Sequence, residues 1–423
     1  MSEWKETDIG LIPIHWELKN IDEIKSSQKK SIISGPFGSN ISAKYFVNEG
    51  VPVVRGNNLS LDIHKRFIDN GFVFVNEEKA EELGTWAEKD DIIFTAVGTI
   101  GQVGILQGNE IFTKYIISNK QLRLRVDKQI VNPLYAYYWF ASPFMTDMIL
   151  QRNTGSSVPL INLSVLKSLL IPIPSKKEQD IILDILSSLD DKIDLLHRQN
   201  ATLEKMAETL FRQWFVEEAK EEWEEKLLGE LIEIKGGFTY KSDFIGNGSS
   251  KLLGMGCVSN KERFLTSGSR LYSGECPEKY LAQPGDLIIA TRQQSDNLPI
   301  LGFPAIVPED FLGQKVIVGA NLYRVINNSS LSNYLMYLIL KSKNYKSHIT
   351  SSAKGSTVRM ITKDAIESFL IVLPPKEIIH SLEQAIHPIN SKSITINKQI
   401  QTLTALRDTL LPKLMSGEVK VEC

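Results

Sequence analysis

The sequence predicts an α+β protein made of two copies of one unit, each a β-rich globular part with a few helices, followed by one long helix. Three observations carry that expectation. The chain matches itself at a shift of about 200 residues, its globular parts read as short strands broken by Gly, Asn and Pro, and two stretches keep a heptad pattern over more than four repeats.

The repeat is visible in GSSVPLIN (155–162) against GSTVRMIT (355–362), in LLIPIP (169–174) against FLIVLP (369–374), and in ATLEKMAETL (201–210) against QTLTALRDTL (401–410). Upstream the shift drifts to 195 between DDIIF (90–94) and GDLII (285–289), and to 207 between WELKNIDEI (16–24) and WEEKLLGEL (223–231). Such drift marks loops of different length within each copy. VPVV, DIIFTAV, QLRLRV, DLIIAT and KVIVGANLYRVI have strand character, and Asn132 before Pro133 predicts a capped helix running through Trp139.

In the first long helix Ile182, Leu186, Leu189, Ile193, Leu196, Asn200, Leu203, Ala207, Leu210 and Trp214 alternate steps of four and three. The second repeats the seam with Leu382, Ile386, Ile389, Ser393, Ile396, Ile400, Leu403, Arg407, Leu410 and Leu414. Ser175 with Glu178 predicts a capping box at the first helix start, and Gly417 a stop for the second. Matching seams should pair, with Asn200, Ser393 and Arg407 as polar positions that fix register. A helix of about 40 residues is about 60 Å long, whereas the intervening globular part has a radius of gyration near 15 Å, roughly. The connection is therefore shortest if the helices pair as an antiparallel coiled coil with a globular part at each end, which gives the chain a pseudo-two-fold axis.

With 423 residues, 42% hydrophobic and 23% charged, the composition fits a folded chain of two to four domains. Apolar runs such as LLIPIP are too short to span a membrane and MSEWKETD is too polar for a signal peptide, so no membrane association and a cytoplasmic location are expected. Cys257, Cys276 and Cys423 are far apart without CxxC spacing, and the six histidines lack ligand spacing, so no metal site is expected. GxxxxGK[ST] is absent, GTIGQVG (98–104) lacks dinucleotide-binding spacing, and NPLY (132–135) departs from the Asn-Pro-Pro-Tyr motif of adenine methyltransferases at Leu134. No catalytic residues are assigned. The net charge is −2, but cations cluster from Lys25 to Arg66 and from Lys341 to Lys363, with an acidic stretch at VEEAKEEWEE (216–225). Such clusters are either a polyanion-facing side or solvated surface.

SGPFGSNISAKYFVNEGVPVVRGNNL (34–59), KDDIIFTAVGTIGQVG, NPLYAYYWFAS, GSSVPLINLSVLKSLLIPIPSKKEQ and LFRQWF together resemble the specificity subunit of type I restriction-modification systems. The resemblance covers essentially the whole chain. It implies two α/β target recognition domains, over 1–174 and 217–373, each reading half of a split site in double-stranded DNA. It also implies two conserved spacer helices, over 175–216 and 374–423. The chain would not itself be an enzyme and would bind no cofactor. It would dock methyltransferase subunits, two per chain, which use S-adenosylmethionine to methylate adenine. Restriction subunits using ATP and Mg would join in the full complex for host defence. KEIIHSL in the second copy lacks the Glu178–Gln179 pair, which puts partner contacts there in doubt. Two rival readings are a coiled-coil DNA-binding scaffold outside restriction-modification and a DNA-modifying enzyme in its own right.

Candidate DNA-binding residues lie in loops rich in Arg, Asn and Gln, which discriminate bases by paired hydrogen bonds. In the first copy these are Arg55, Asn57, Asn58, Arg152 and Asn153, with Ser156 and Ser157 on a turn suited to phosphate. In the second they are Arg292, Gln293, Gln294, Asn297, Lys354 and Arg359, with Ser356 and Thr357 on the matching turn. Ser39 in SGPFGS and Thr239 in KGGFTY are further phosphate candidates, joined by Lys44 and Lys241. Any one of them could equally be a solvated loop position. Phe37 and Phe238 are expected to anchor their turns in the core rather than to intercalate.

Overall fold

The computed structural model describes residues 3–293, 300–355 and 358–421. The chain divides into two compact units, residues 1–194 with 402–423 as unit 1 and the continuous stretch 195–401 as unit 2.

In unit 1, Val51–Val54 pairs in parallel with Lys114–Ile117, and Val73–Val75 and Trp86–Glu88 flank them. A second, antiparallel sheet has the order Ile32–Ser34, Gln121–Leu124, Ile92–Thr95, Val103–Ile105. Unit 2 repeats both. Its first sheet runs Arg270–Tyr272, Ile245–Leu253, Val316–Val318, Leu281–Ala282, with the parallel pair again in the middle. Its second runs Ile232–Gly236, Leu322–Asn327, Leu287–Ala290, Pro304–Ile306. KVIVGANLYRVI is therefore two strands in different sheets. They part at Gly319, where a Cβ would lie 2.4 Å from the Leu253 carbonyl oxygen. Ile92–Thr95 and Leu287–Ala290 are buried at all four positions, which explains why they read as unbroken apolar runs rather than alternating ones.

One polar device recurs at the turn into these strands. Asp91, fully buried, accepts from the Glu88 amide at 2.9 Å and pairs with Arg123 and Arg125. In unit 2, Asp286 accepts from the Gln283 amide at 2.8 Å and pairs with Arg324. A carboxylate beneath each strand start thus tethers it to its neighbour.

Each unit has an apolar helix at its centre. Pro133–Phe140 is capped by Asn132, whose Oδ1 accepts from the Leu134 amide at 3.0 Å, as the Asn-Pro pair predicts. Its counterpart in unit 2 is Asn333–Lys341, capped by Ser332. Both cap residues are held by a long helix. Gln179 Oε1 accepts from the Asn132 amide at 2.8 Å, and Glu383 Oε1 from the Ser332 amide at 2.6 Å. Gln179 also donates to the carbonyls of Ile130 and Pro174 and is fully buried, with Glu178 nearly so. The Glu178–Gln179 pair therefore holds its own unit together.

The long helices span Lys176–Arg212 and Lys376–Ser416. The capping box forms as expected, with Ser175 donating its amide to Glu178 Oε2 at 3.0 Å and its hydroxyl accepting from the Glu178 amide. Gly417 ends the second helix at φ +77°. The helices run antiparallel within each unit. In unit 1, Ile182 and Leu186 share a core with Leu411, Leu414 and Met415, and in unit 2, Ala207 and Phe211 share one with Leu382 and Ile386. The other predicted seam residues, Leu189, Ile193, Leu196, Leu203, Leu210, Ile389, Ile396, Ile400, Leu403 and Leu410, are all buried or half-buried.

Two of the three polar seam positions pair across the helices. Asn200 donates to Asn397 Oδ1 at 2.6 Å across the helix pair of unit 2. Arg407, only 3% exposed, meets Asp190 at 3.3 Å across that of unit 1. Asp190 also takes Arg66 at 3.2 Å, His64 at 3.2 Å and the Tyr138 hydroxyl. In unit 2 the corresponding arginine, Arg263, reaches both helices, through Glu204 and through Asn390 at 2.7 Å, with its guanidinium 4.6 Å from the Tyr334 ring centre. Each globular part is thus pinned to the helix pair of its own unit by one arginine.

Candidate nucleic-acid interface

The loops singled out in the first copy meet around one cleft of unit 1, with a volume of about 920 Å³. Strand Ile32–Ser34 leads into Gly35, which lies so close to the turn after Lys114–Ile117 that a Cβ would stand 1.8 Å from the Ser118 oxygen. Phe37, the 3-10 turn Gly38–Ile41 and Lys44 follow. Opposite, the strand Val51–Val54 delivers Arg55, Gly56 and Asn57 to the rim, while Thr99, Gln102, Asn119, Lys120 and Gln121 complete the wall. The 151–160 loop lies alongside, because Val97 bridges Leu160 and the Gly98 amide donates to Pro159 O at 3.0 Å.

The chemistry of the lining is one-sided. Arg55 and Lys120 are cations, six of the residues carry Asn, Gln or Thr groups, and no carboxylate is among the lining residues. Gln102 is committed to the fold, accepting from Thr95 at 3.0 Å and donating to Leu59 O at 3.2 Å. Gln121 uses its Oε1 to accept from the Ser118 hydroxyl, leaving Nε2 without a protein partner, as is Nε of Arg55.

The predicted residues separate into three groups. Arg55 and Asn57 line the cleft, and Ser39 and Lys44 are exposed beside it, Lys44 with its Nζ 4.7 Å from the Tyr45 ring centre. Ser156 and Ser157 are exposed on the neighbouring loop. Others serve the fold. Asn58 is fully buried, accepting from the Arg55 amide and donating to Ile68 O and Asn70 O, so it shapes the RGNN loop and has nothing left for a base. Asn153 Oδ1 accepts from the amides of Gly155 and Leu160, closing its own loop, and Arg152 donates to Ser168.

In unit 2 the structure joins two loops that are far apart in sequence. Arg292–Gln293 pairs antiparallel with Arg359–Met360, and Lys354 exchanges backbone hydrogen bonds with Met360. Arg292, Lys354 and Arg359 are exposed together there, and Thr239 and Lys241 are exposed on the turn after Ile232–Gly236. Gln294, Asn297, Ser356 and Thr357 lie outside the described residues.

Two expectations are corrected. Phe238 packs against Tyr272 and Tyr280 as anticipated, with ring centres 6.1 and 5.5 Å apart, but Phe37 is 84% exposed and anchors nothing. The basic clusters are not uniformly outward-facing either. Lys25 pairs with Asp22, Arg66 turns inward to Asp190, and Lys341 is drawn to Glu208 at 2.6 Å. The cleft residues missed from sequence are Asn119, Lys120 and Gln121. With Ser118 they form SNKQ, a loop that the same Asn-and-Gln criterion would have found.

Comparison with known proteins agrees with this geometry. A family model described as the type I restriction modification DNA specificity domain matches residues 13–205 and again 220–404. The chain is 27% identical to the type I restriction enzyme MjaIX specificity subunit of Methanocaldococcus jannaschii, over 100% of this chain and 97% of that protein. It is 23% identical to the HindI specificity subunit of Haemophilus influenzae, over 93% and 100%. Among solved structures, the type I restriction-modification S subunit from M. genitalium has the same fold, with a TM-score of 0.54 at 17% identity, covering 95% of this chain and 96% of that one.

Proposed function

The chain belongs to the type I restriction-modification DNA specificity family, and from that premise we propose how its parts divide the work. It is the DNA-specificity subunit of such a system, a recognition component and not a catalyst, and its partners are DNA and a methyltransferase. The globular part of each unit reads one half of a bipartite site. In unit 1 the reading surface is the cleft bounded by residues 34–46, 55–57, 95–102 and 118–121. In unit 2 it is the paired strands that carry Arg292 and Arg359.

The observation that carries the proposal is the cleft lining: two cations, several side-chain amides and no carboxylate among the lining residues. Base edges in the major groove offer acceptors, above all O6 and N7 of guanine, and phosphates reward nearby cations. The long helices are the proposed seat of two methyltransferase subunits, which supply S-adenosylmethionine chemistry. ATP and Mg belong to a restriction subunit where one is present. Membership of the family removes the reason for reading the chain as an unrelated scaffold or a self-sufficient enzyme.

The test is a genome-wide map of N6-methyladenine in cells expressing this chain with its methyltransferase partner, against cells lacking only this chain. A split motif that disappears with the chain is the expected result. An unchanged map, despite a complex that co-purifies, overturns the assignment.

A further inference from the structure

We propose that Phe37 is a stacking residue that inserts between base pairs of the half-site read by unit 1, and that Phe238 plays no such part in unit 2. The proposal rests on the reading of the cleft as a DNA surface and adds to it a mode of distortion.

Phe37 keeps 84% of its surface in water. An apolar ring of this size gains about 2 kcal/mol from burial, so its exposure is a cost unless something covers it. Its loop is held at several points. The Gly35 amide donates to Gln121 O at 2.9 Å and the Asn40 amide to Phe37 O at 2.8 Å. A Cβ on Gly38 would lie 3.0 Å from Asn119 Nδ2. The ring is thus presented from a backbone clamped against the 118–121 turn, at the lip of a cleft that carries Arg55 and Lys120.

Those cations and the absence of carboxylates in the lining select a polyanion as the occupant. The polyanion whose interior accepts an aromatic ring is duplex DNA, where apolar side chains wedge into base steps and bend the helix. Unstacking is cheapest at pyrimidine–purine steps, so unit 1 would favour such a step without a hydrogen bond to it. The equivalent ring in unit 2 is already covered by Tyr272 and Tyr280. The two half-sites would therefore be read differently, one with a kink and one without.

The experiment uses the complex of this chain with its methyltransferase partner. The probes are duplexes carrying the split motif recovered from the methylation map. 2-Aminopurine replaces single bases in either half, away from the methylated adenine, because flipping of that base has its own signal. Binding of the native complex is expected to raise fluorescence in one half only. Phe37→Ala should abolish that rise and weaken binding about tenfold, whereas Phe37→Trp should keep both, with all proteins melting at the same temperature. Native binding without a fluorescence rise in either half, or a Phe37→Ala protein equal to native in affinity and fluorescence, overturns the wedge and leaves the reading surface intact. A native complex that binds none of the duplexes overturns both.

Discussion

Asp190 shows how a single side chain joins three elements of unit 1. Its carboxylate is 4% exposed and contacts Arg407 from the second helix, Arg66 and His64 from the globular part, and Tyr138 from the central helix. Burial raises the Tyr138 hydroxyl pKa further still, so that group remains a donor. Replacing the carboxylate would leave Arg407 to Asp408 and Arg66 to Gln107 and the Tyr138 hydroxyl, so the loss is that of one charge-assisted partner in a dry site, about 1–3 kcal/mol. Asp190→Asn should lower the unfolding free energy of unit 1 by that amount in denaturant titration, and a loss below about 1 kcal/mol would contradict the account. Glu178 ends up shifted the other way. Burial pushes its pKa up, but hydrogen bonds from His15, Ser175 and Trp16 outweigh burial and hold the carboxyl at about 2, below its ordinary 4.5. Because the folded value is the lower one, the stabilisation is complete above about pH 4.5 and is lost as pH falls towards 2. Glu178→Gln should flatten the stability profile in that window and leave its shape near neutrality unchanged.

The long helices were the most legible elements, because a heptad seam is a local pattern that needs no knowledge of the rest of the chain. Their ends were legible for the same reason: Ser175 with Glu178 and the glycine at 417 are signals within one turn. Gly417 carries a further constraint, since at φ +77° an added Cβ would lie 2.4 Å from Pro13 Cγ. Gly417→Ala should therefore cost about 1–2 kcal/mol, read as a lower melting temperature for unit 1. Features that depend on residues distant in sequence were not legible. Phe37 and Phe238 sit in similar turns, yet Tyr272 and Tyr280 cover one and nothing covers the other. The residue pinning the central helix is Gln179 in unit 1 and Glu383 in unit 2, the second placed about one helical turn later along its helix. No alignment at a fixed shift equates them. Asn58 satisfied the rule for a base reader and is spent inside its own loop, because the rule sees residue type and not the two carbonyls waiting for it.

At the scale of the whole molecule, the two repeats make separable predictions. Arg55→Ala should relax one half of the methylated motif and Arg292→Ala the other, each leaving the opposite half intact in the methylation map. Relaxation of both halves by either change would contradict the division of labour. The repeat itself was legible from three matched segments, and the antiparallel pairing with a globular part at each end already implied where the second helix finishes. Chain order suggests globular part, helix, globular part, helix, but residues 402–423 pack with the first globular part. Leu411, Leu414 and Met415, each at most 2% exposed, belong to the same apolar core as Trp16 and Ile182. That arrangement sets an order in time. Unit 2 is one continuous segment and can close as soon as residue 401 is made, while unit 1, begun first, must wait through the synthesis of residues 195–401 for its last helical turns. At ordinary translation rates the wait is roughly 10–40 s. During it, the socket for Leu411, Leu414 and Met415 stands open on the nascent chain, so the recognition domain made first is the last to be finished, and a chaperone that shields it need act only until those residues arrive.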